Sequence, residues 1–245
     1  RGEWRISTRK LYMNNKLIAL HSIMWSFSIV SLFFLSWQSV LLFLVIAYFI
    51  SVIGQIMGLH RYFAHKSFST NKFWHYFILF CSTVITLGSP IAWVAVHLKH
   101  HRFSDTEKDS HSPVYKGHFK VFFGYFYDVY DVEPKYAARL LRDKDQIFIH
   151  KNYFKLHTAY IVFLLAIDPV LVFPLYFYPT ILSVVMGGMV NVFNHWNGTI
   201  SDNKLIAWAV AGEGWHKYHH DNASKWRNPY PDLCGFLINL IRIKK

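Results

Sequence analysis

The sequence predicts an all-α integral membrane protein: four transmembrane helices in two hairpins, with a cytosolic helical cap holding a di-metal site. Three observations carry this expectation. The 245 residues contain long uncharged apolar runs, all 26 Lys and Arg fall outside those runs, and nine of the 15 histidines lie in ordered clusters. Charged residues make up 16% of the chain and hydrophobic ones 53%, whereas a soluble domain carries about a quarter charged residues. That balance excludes disorder, a collagen-like repeat and a disulfide scaffold. Cys81 and Cys234 are too few for a disulfide framework or a thiolate zinc site. The length allows one or two domains, and with no internal repeat or linker we read residues 1–245 as one.

The elements follow in order. Leu17 to Trp37 holds no Lys, Arg, Asp or Glu, and the chain stays uncharged through Leu59. A turn at Ser36-Trp37-Gln38-Ser39 would divide it into spans over 17–36 and 39–59, each able to cross a ~30 Å hydrocarbon core. The basic start leads into this run without a small-residue cleavage signature, so the first segment reads as a retained span rather than a signal peptide. A second hairpin is expected over 156–174 and 178–196. Its breakers, Asp168-Pro169, Pro174 and Pro179, predict an apex that is at least partly non-helical. Residues 60–155 and 197–245 then form the cap.

Cation placement sets the orientation. Five Lys and Arg fall in 1–16, three in 61–72, eleven in 99–155, one at Lys204 and six in 217–245, and none in either hairpin. With four spans all 26 lie on one side, which the positive-inside rule makes cytoplasmic. The net charge of +12 is then explained by anionic head groups or a negatively charged carrier. No zinc finger or basic-helix pattern argues for nucleic acid.

The histidines carry the chemistry. His60-Arg-Tyr-Phe-Ala-His65 follows the second span, and His97-Leu-Lys-His100-His101 and His216-Lys-Tyr-His219-His220 follow later. His195 ends the fourth span, with Asn191 one helical turn before it. Helical positions i, i+3 and i+4 share a face, so each HxxHH presents three imidazoles to one place. Neutral imidazole suits Fe, Zn, Cu or Ni, and eight or nine such ligands fit two ions better than one. His60 and His65, five apart, are poorly aligned on a regular helix, so one should sit where the helix ends. His21, His75, His118, His150 and His157 read as packed or hydrogen-bonded histidines; His111 fits neither description clearly. The clusters also place Phe73–Val96, a stretch long enough for a fifth span. If it crossed, His60/His65 and His97/His100/His101 would lie on opposite faces, so it should belong to the cap, touching the membrane surface as an amphipathic element.

From about Ser51 to Cys234 the sequence resembles the membrane fatty-acid desaturases, specifically the Δ9 acyl-CoA (stearoyl-CoA) desaturase type. Gly58-Leu-His-Arg-Tyr-Phe-Ala-His65 resembles the first box of that family. Trp93-Val-Ala-Val-His97-Leu-Lys-His100-His101-Arg-Phe-Ser-Asp-Thr resembles its second, with Asp109-Ser-His111-Ser as the acidic-x-His tail. Asn191-Val-Phe-Asn-His195-Trp-Asn-Gly198 resembles its NxxxHxxG element, and Gly212-Glu-Gly-Trp-His216-Lys-Tyr-His219-His220 its GEGxHxxHH box.

The resemblance implies two irons (Fe2+). One would take His60, His65, His97, His101 and His219; the other His100, His195, His216 and His220, with Asn191 acting through a water. It implies a reaction in which O2 and two electrons introduce a cis double bond, expected at Δ9, into a saturated acyl chain. Trp93 would line the acyl tunnel near its bend. The acyl group would arrive as acyl-CoA, on an acyl carrier or in a lipid. Lys99, Arg102 and the cations of 116–155 are candidates for its head group. The sequence carries no HPGG haem-binding motif, so a separate donor such as cytochrome b5, ferredoxin or rubredoxin is expected. The chemistry agrees: an unactivated methylene needs a redox-active oxidant, which zinc cannot provide. Soluble di-iron proteins use Glu ligands, whereas here histidine replaces them and Glu213 is expected to support the site from behind. The rivals are a histidine-box hydroxylase of alkanes, carotenoids or sterols, a bis-His haem membrane protein, and a zinc-dependent membrane hydrolase, which would leave most of the histidines unexplained.

Overall fold

The computed structural model describes residues 9–127, 129 and 132–244; the basic segment 1–8, expected on the cytosolic side, lies outside them. Helix α1 runs Arg9–Ser31. The chain turns over 32–36, and Ser36 caps the next helix by accepting from the Ser39 N–H at 3.2 Å. Helix α2 (Trp37–Ser51) continues without a break as a π-helical segment over Val52–Ala64. The turn therefore ends one residue into the predicted Ser36–Ser39, because the Ser36 hydroxyl satisfies an N–H of the first turn.

The stretch Phe73–Val96 is two helices, α3 (Lys72–Val84) and α4 (Pro90–Phe103). They are separated by a bend in which Thr86 and Gly88 take φ of 53° and 92°. Helix α3 buries Ile78, Leu79 and Ser82 against the π-helical segment and exposes Phe73, Tyr76 and Phe80. Short helices α5 (Pro113–Lys116) and α6 (His118–Gly124) lead to α7 (Lys144–Ile167), capped by the Asp143 carboxylate.

The second hairpin differs in detail from its expectation. Asp168 alone breaks the helix. A 3-10 turn (Pro169–Leu171), a π turn (Phe173–Phe177) and α8 (Tyr178–Phe193) then follow one another as a single rod. Each proline sits in the first turn of its piece, where a missing N–H is tolerated. The apex thus falls at Asp168, not between 174 and 178.

Two helices among the described residues, Trp37–Ala64 and Pro169–Phe193, are long and apolar enough to cross a membrane. They pack on each other, with the Ser51 hydroxyl donating to Pro179 O at 2.9 Å. Helix α1 joins them where the Ser31 and Tyr178 hydroxyls meet at 2.8 Å. Met24, Ala47, Leu164 and Tyr176 fill the core between the hairpins. The cap closes with α9 (Lys204–Ala209), α10 (His216–Asp221) and α11 (Leu233–Ile241). Among the described residues no strand forms, and a lone antiparallel bridge pairs Thr70 with Arg242.

Candidate metal centre

The first box is built by the π-helical segment. In this geometry the N–H of residue i+5 bonds to the carbonyl of residue i, and His65 N–H donates to His60 O at 3.1 Å. Residues five apart therefore come into line, and the two rings lie 4.9 Å apart between centroids. His65 is also the first residue past the helix, as the spacing predicts.

Helix α4 supplies the second box and α10 the third, but each HxxHH triple is divided rather than aimed at one place. The ring nitrogens of His60, His65, His97, His101 and His219 form one group, and those of His100, His195, His216 and His220 another; within each, the candidate ligand atoms lie within 4.8 Å of one another. The i and i+4 residues of the second box, His97 and His101, go one way and His100 goes the other. In the third box His219 separates from His216 and His220. His60, His97, His100, His195, His216 and His219 are buried, while His65, His101 and His220 are half-buried.

The spacing suits metal ions. Nε2 atoms stand 2.9 Å apart for His60 and His219, 2.7 Å for His65 and His97, and 3.1 Å for His101 with His219 and for His216 with His220. Two imidazole nitrogens bound at right angles to one ion at about 2.1 Å stand about 3 Å apart. The Nε2 atoms of His100 and His195 are buried without a hydrogen-bond partner. Burial, and then the neighbouring imidazoles, hold His97, His100, His216 and His219 well below the usual histidine range and bring His101 to about 3. These rings are neutral near pH 7, with lone pairs available for a metal.

Behind the rings stand carboxylates, the arrangement that fixes tautomer and orientation in metal-binding histidines. His60 Nδ1 lies 2.7 Å from Glu213, His100 Nδ1 3.0 Å from Asp109, and His195 Nδ1 2.9 Å from Asp105. Glu213 is shared with the buried Arg61, which also reaches Asp232 at 2.7 Å. Burial alone would raise the Glu213 carboxyl, but His60 and Arg61 outweigh it and bring it to about 2. Asp109 organises its loop by accepting the N–H groups of Asp105 and His111. Gly212, at φ 105°, lies so close to Asp232 that any side chain there would collide with the carboxylate. Sequence reasoning singled out Glu213 but missed Asp105, Arg61 and Asp232. The Asp three residues after Arg102 and the Arg inside the first box were the signals that could have found them.

A cavity beside the histidines is lined by Trp93, Asn191, His111, Tyr125, Met186 and Val190, among others. Trp93 stacks on His97 at 4.9 Å with ring planes 17° apart. Asn191 is buried and lines the same cavity as His100 and His216. His111, ambiguous in the sequence, proves to be buried 5.3 Å from His100 between ring centroids. Neither of its ring nitrogens has a hydrogen-bond partner, and burial lowers it to about 4. The remaining histidines are hydrogen-bonded elsewhere: His21 to Thr86, His75 to Tyr62, His118 to Trp196 O, His150 to Ser89 and His157 to Tyr176.

Fold and site together define a class: among the described residues, an all-helical protein with two membrane-length apolar helices and two groups of clustered imidazoles, three of them backed by carboxylates, compatible with a metal site. Within that class the chain belongs to the fatty acid desaturase family, whose model matches residues 35–233. It is similar to an acyl-CoA C20 Δ5-desaturase of Anemone leveillei, with 30% identity over 76% of this chain and 64% of that protein. An icosanoyl-CoA 5-desaturase of Limnanthes douglasii is 26% identical over 90% of this chain and 65% of its own length. An sn-1 stearoyl-lipid 9-desaturase of Synechocystis is 29% identical, over 76% and 62%. The chain thus spans less than two thirds of the length of each of these relatives.

Proposed function

We propose that this chain is an O2-dependent fatty-acyl desaturase that introduces a cis double bond, at Δ9, into a saturated acyl chain. The observation that carries the reading is the gathering of nine imidazoles into groups of five and four beside a largely apolar cavity. Two irons held by His60, His65, His97, His101 and His219, and by His100, His195, His216 and His220 with Asn191 through a water, would supply the oxidising chemistry, in which the two hydrogens lost by the acyl chain, two electrons from a donor and two protons together reduce one O2 to two waters. The chain's own residues do the rest. Glu213, Asp105 and Asp109 hold His60, His195 and His100 in one tautomer. Trp93, Ile56, Met186 and Val190 give the acyl chain an apolar wall beside the metal ligands, which positions one methylene and keeps water away.

A groove with Lys99, Lys108, Lys116, Lys120 and Lys135 shares Tyr125 with the histidine cavity. It supports an anionic acyl-CoA, acyl-carrier or acyl-lipid head group. A similar 9-desaturase acting on stearoyl lipid supports the Δ9 position; the similar 5-desaturases make double-bond position the point to test. Electrons would come from a separate donor such as cytochrome b5, ferredoxin or rubredoxin.

We read the chain as one multi-pass domain of four spans, adding α1 and α7 to the two apolar helices, with the cap cytoplasmic. The one-sided cations support this. Cysteine labelling from outside should reach positions near Asp168 or Ser36, and labelling at Lys116 from that side would overturn the topology. Fatty-acid analysis of cells expressing the chain, beside a His97→Ala variant, tests the reaction. New monounsaturated chains dependent on His97 are expected; oxygenated products would establish the hydroxylase instead.

A further inference from the structure

A second cavity, of about 710 Å³, is lined by none of the nine clustered histidines, though His75 stands on its wall. It shares no lining residue with the histidine cavity, whereas the lysine groove meets that cavity at Tyr125. Substrate entering by the lysine groove therefore leaves this one unused. Its walls carry Lys66, Arg139 and Arg242, and among the described residues none of the three is in an ion pair. The carboxylate on its wall, Asp143, is occupied in accepting the N–H groups of Asp145 and Gln146 at the start of α7. Arg242 is held flat on Trp226 at 4.4 Å and donates through Nε to Asn239. Arg139 is anchored through one nitrogen to Phe63 O. Each guanidinium has five N–H donors, so most remain available. Lys66 keeps a left-handed backbone, φ 51°, which a glycine would adopt with about 1 kcal/mol less strain.

The position of the cavity indicates what these cations meet. Tyr62 and Phe63 on its wall belong to the last turn of the 28-residue helix Trp37–Ala64. About 20 residues suffice to cross a hydrocarbon core, so this end reaches head-group depth. Exposed apolar side chains lie on neighbouring elements: Phe73, Phe77 and Phe80 on α3, and Phe236, Leu240 and Ile243 on and just after α11. Exposed apolar residues bordering a cluster of Lys and Arg are the pattern by which a protein seats itself among anionic lipids.

We propose that this cavity binds the phosphate head group of an anionic membrane lipid, held by Arg139, Arg242 and Lys66, at a site separate from that of the acyl substrate. The proposal uses the enzymatic reading only to place the chain in a bilayer, and its test reads lipid rather than turnover. The metal-loaded protein in phosphatidylcholine nanodiscs would be titrated with phosphatidylglycerol, and bound lipid counted by native mass spectrometry. One tightly held phosphatidylglycerol per chain is expected. Arg139→Gln and Arg242→Gln should each weaken it about tenfold, the worth of a charge-assisted hydrogen bond pair, and Lys66→Gln less. Arg242→Lys should keep most of the binding, and Lys120→Gln in the lysine groove all of it. Unchanged metal content certifies that each variant is folded, and exposed Lys66 serves if the arginine variants fail to fold. Equal losses in Lys120→Gln and Arg242→Gln would reduce the effect to overall charge and overturn the site. So would undiminished binding in Arg242→Gln, or displacement of the lipid by inorganic phosphate at equal concentration.

Discussion

The two histidine groups use the same ring atom and differ in what stands behind it. In the group of five, His60 is tied through Glu213 to Arg61 and Asp232, a chain of buried charges joining the end of an apolar helix to the third box. In the group of four, His100 and His195 lean on Asp109 and Asp105, two carboxylates from the single loop after α4. The first group is thus anchored by tertiary ion pairs between distant segments, and the second by a loop folded on itself. The second also lies beside Asn191 and the unpartnered His111. An imidazole count one lower, next to unsatisfied polar atoms, makes it the group with room for a water or a substrate atom.

The comparison can be broken experimentally. The largest effect is expected from removing a ring from each group: His97→Ala and His216→Ala should each lower turnover by more than about 100-fold, exceeding what loss of a supporting residue costs, whereas His150→Ala should retain activity. Near-normal turnover in both boxed variants, measured by product chromatography, would remove the ligand reading.

Metal exchange should act as strongly. Activity should rise with iron to two per chain and vanish in fully zinc-loaded protein, because zinc follows iron in divalent affinity but has no redox chemistry. A zinc-only preparation turning over at the normal rate would refute this.

Glu213→Gln comes next. It leaves buried Arg61 with Asp232 as its one carboxylate partner and removes the carboxylate behind His60, and breaking a buried charge pair costs up to about 3–5 kcal/mol. A lowered Tm with or without metal is therefore expected by calorimetry. Asp105→Asn should be milder, weakening metal binding in the group of four by about 10–100-fold while leaving the metal-free Tm almost unchanged. If the two variants gave the same thermal signature, the contrast between tertiary and loop anchoring would fail. The smallest effect is expected at Trp93: Trp93→Leu should keep both metals and alter chain-length preference, read from the product profile.

Much of the architecture was legible in the residues. Uncharged runs cannot be mistaken where every Lys and Arg avoids them, and Ser36 and Asp168 punctuate both hairpins as a cap and a breaker should. The proline-rich stretch after Asp168 was less so, since Pro174 and Pro179 break a helix only where their missing N–H is needed, and in a first turn it is not. Asp109 stood out in the sequence only as part of the box tail, and Asp105 was hard to recognise because loop residues follow no period. Their role depends on a loop that turns back on itself, Asp105 at φ 57° and Asp109 buried beneath it.

The sequence by itself determined which residues are chemical: histidines at i, i+3 and i+4, repeated twice and joined by a first box and His195, report an imidazole-rich site because that spacing is local to one or two helical turns. Tertiary structure decided how they are shared out. His60 and His65 look misaligned on a helix of 3.6 residues per turn and fall into line only because the chain adopts a π-helix there. His100 parts from His101, and His219 from His220, because α4 and α10 each lie between two sets of rings brought in by other segments. Such a division depends on where four distant pieces of chain pack, and periodicity within any one of them cannot encode it.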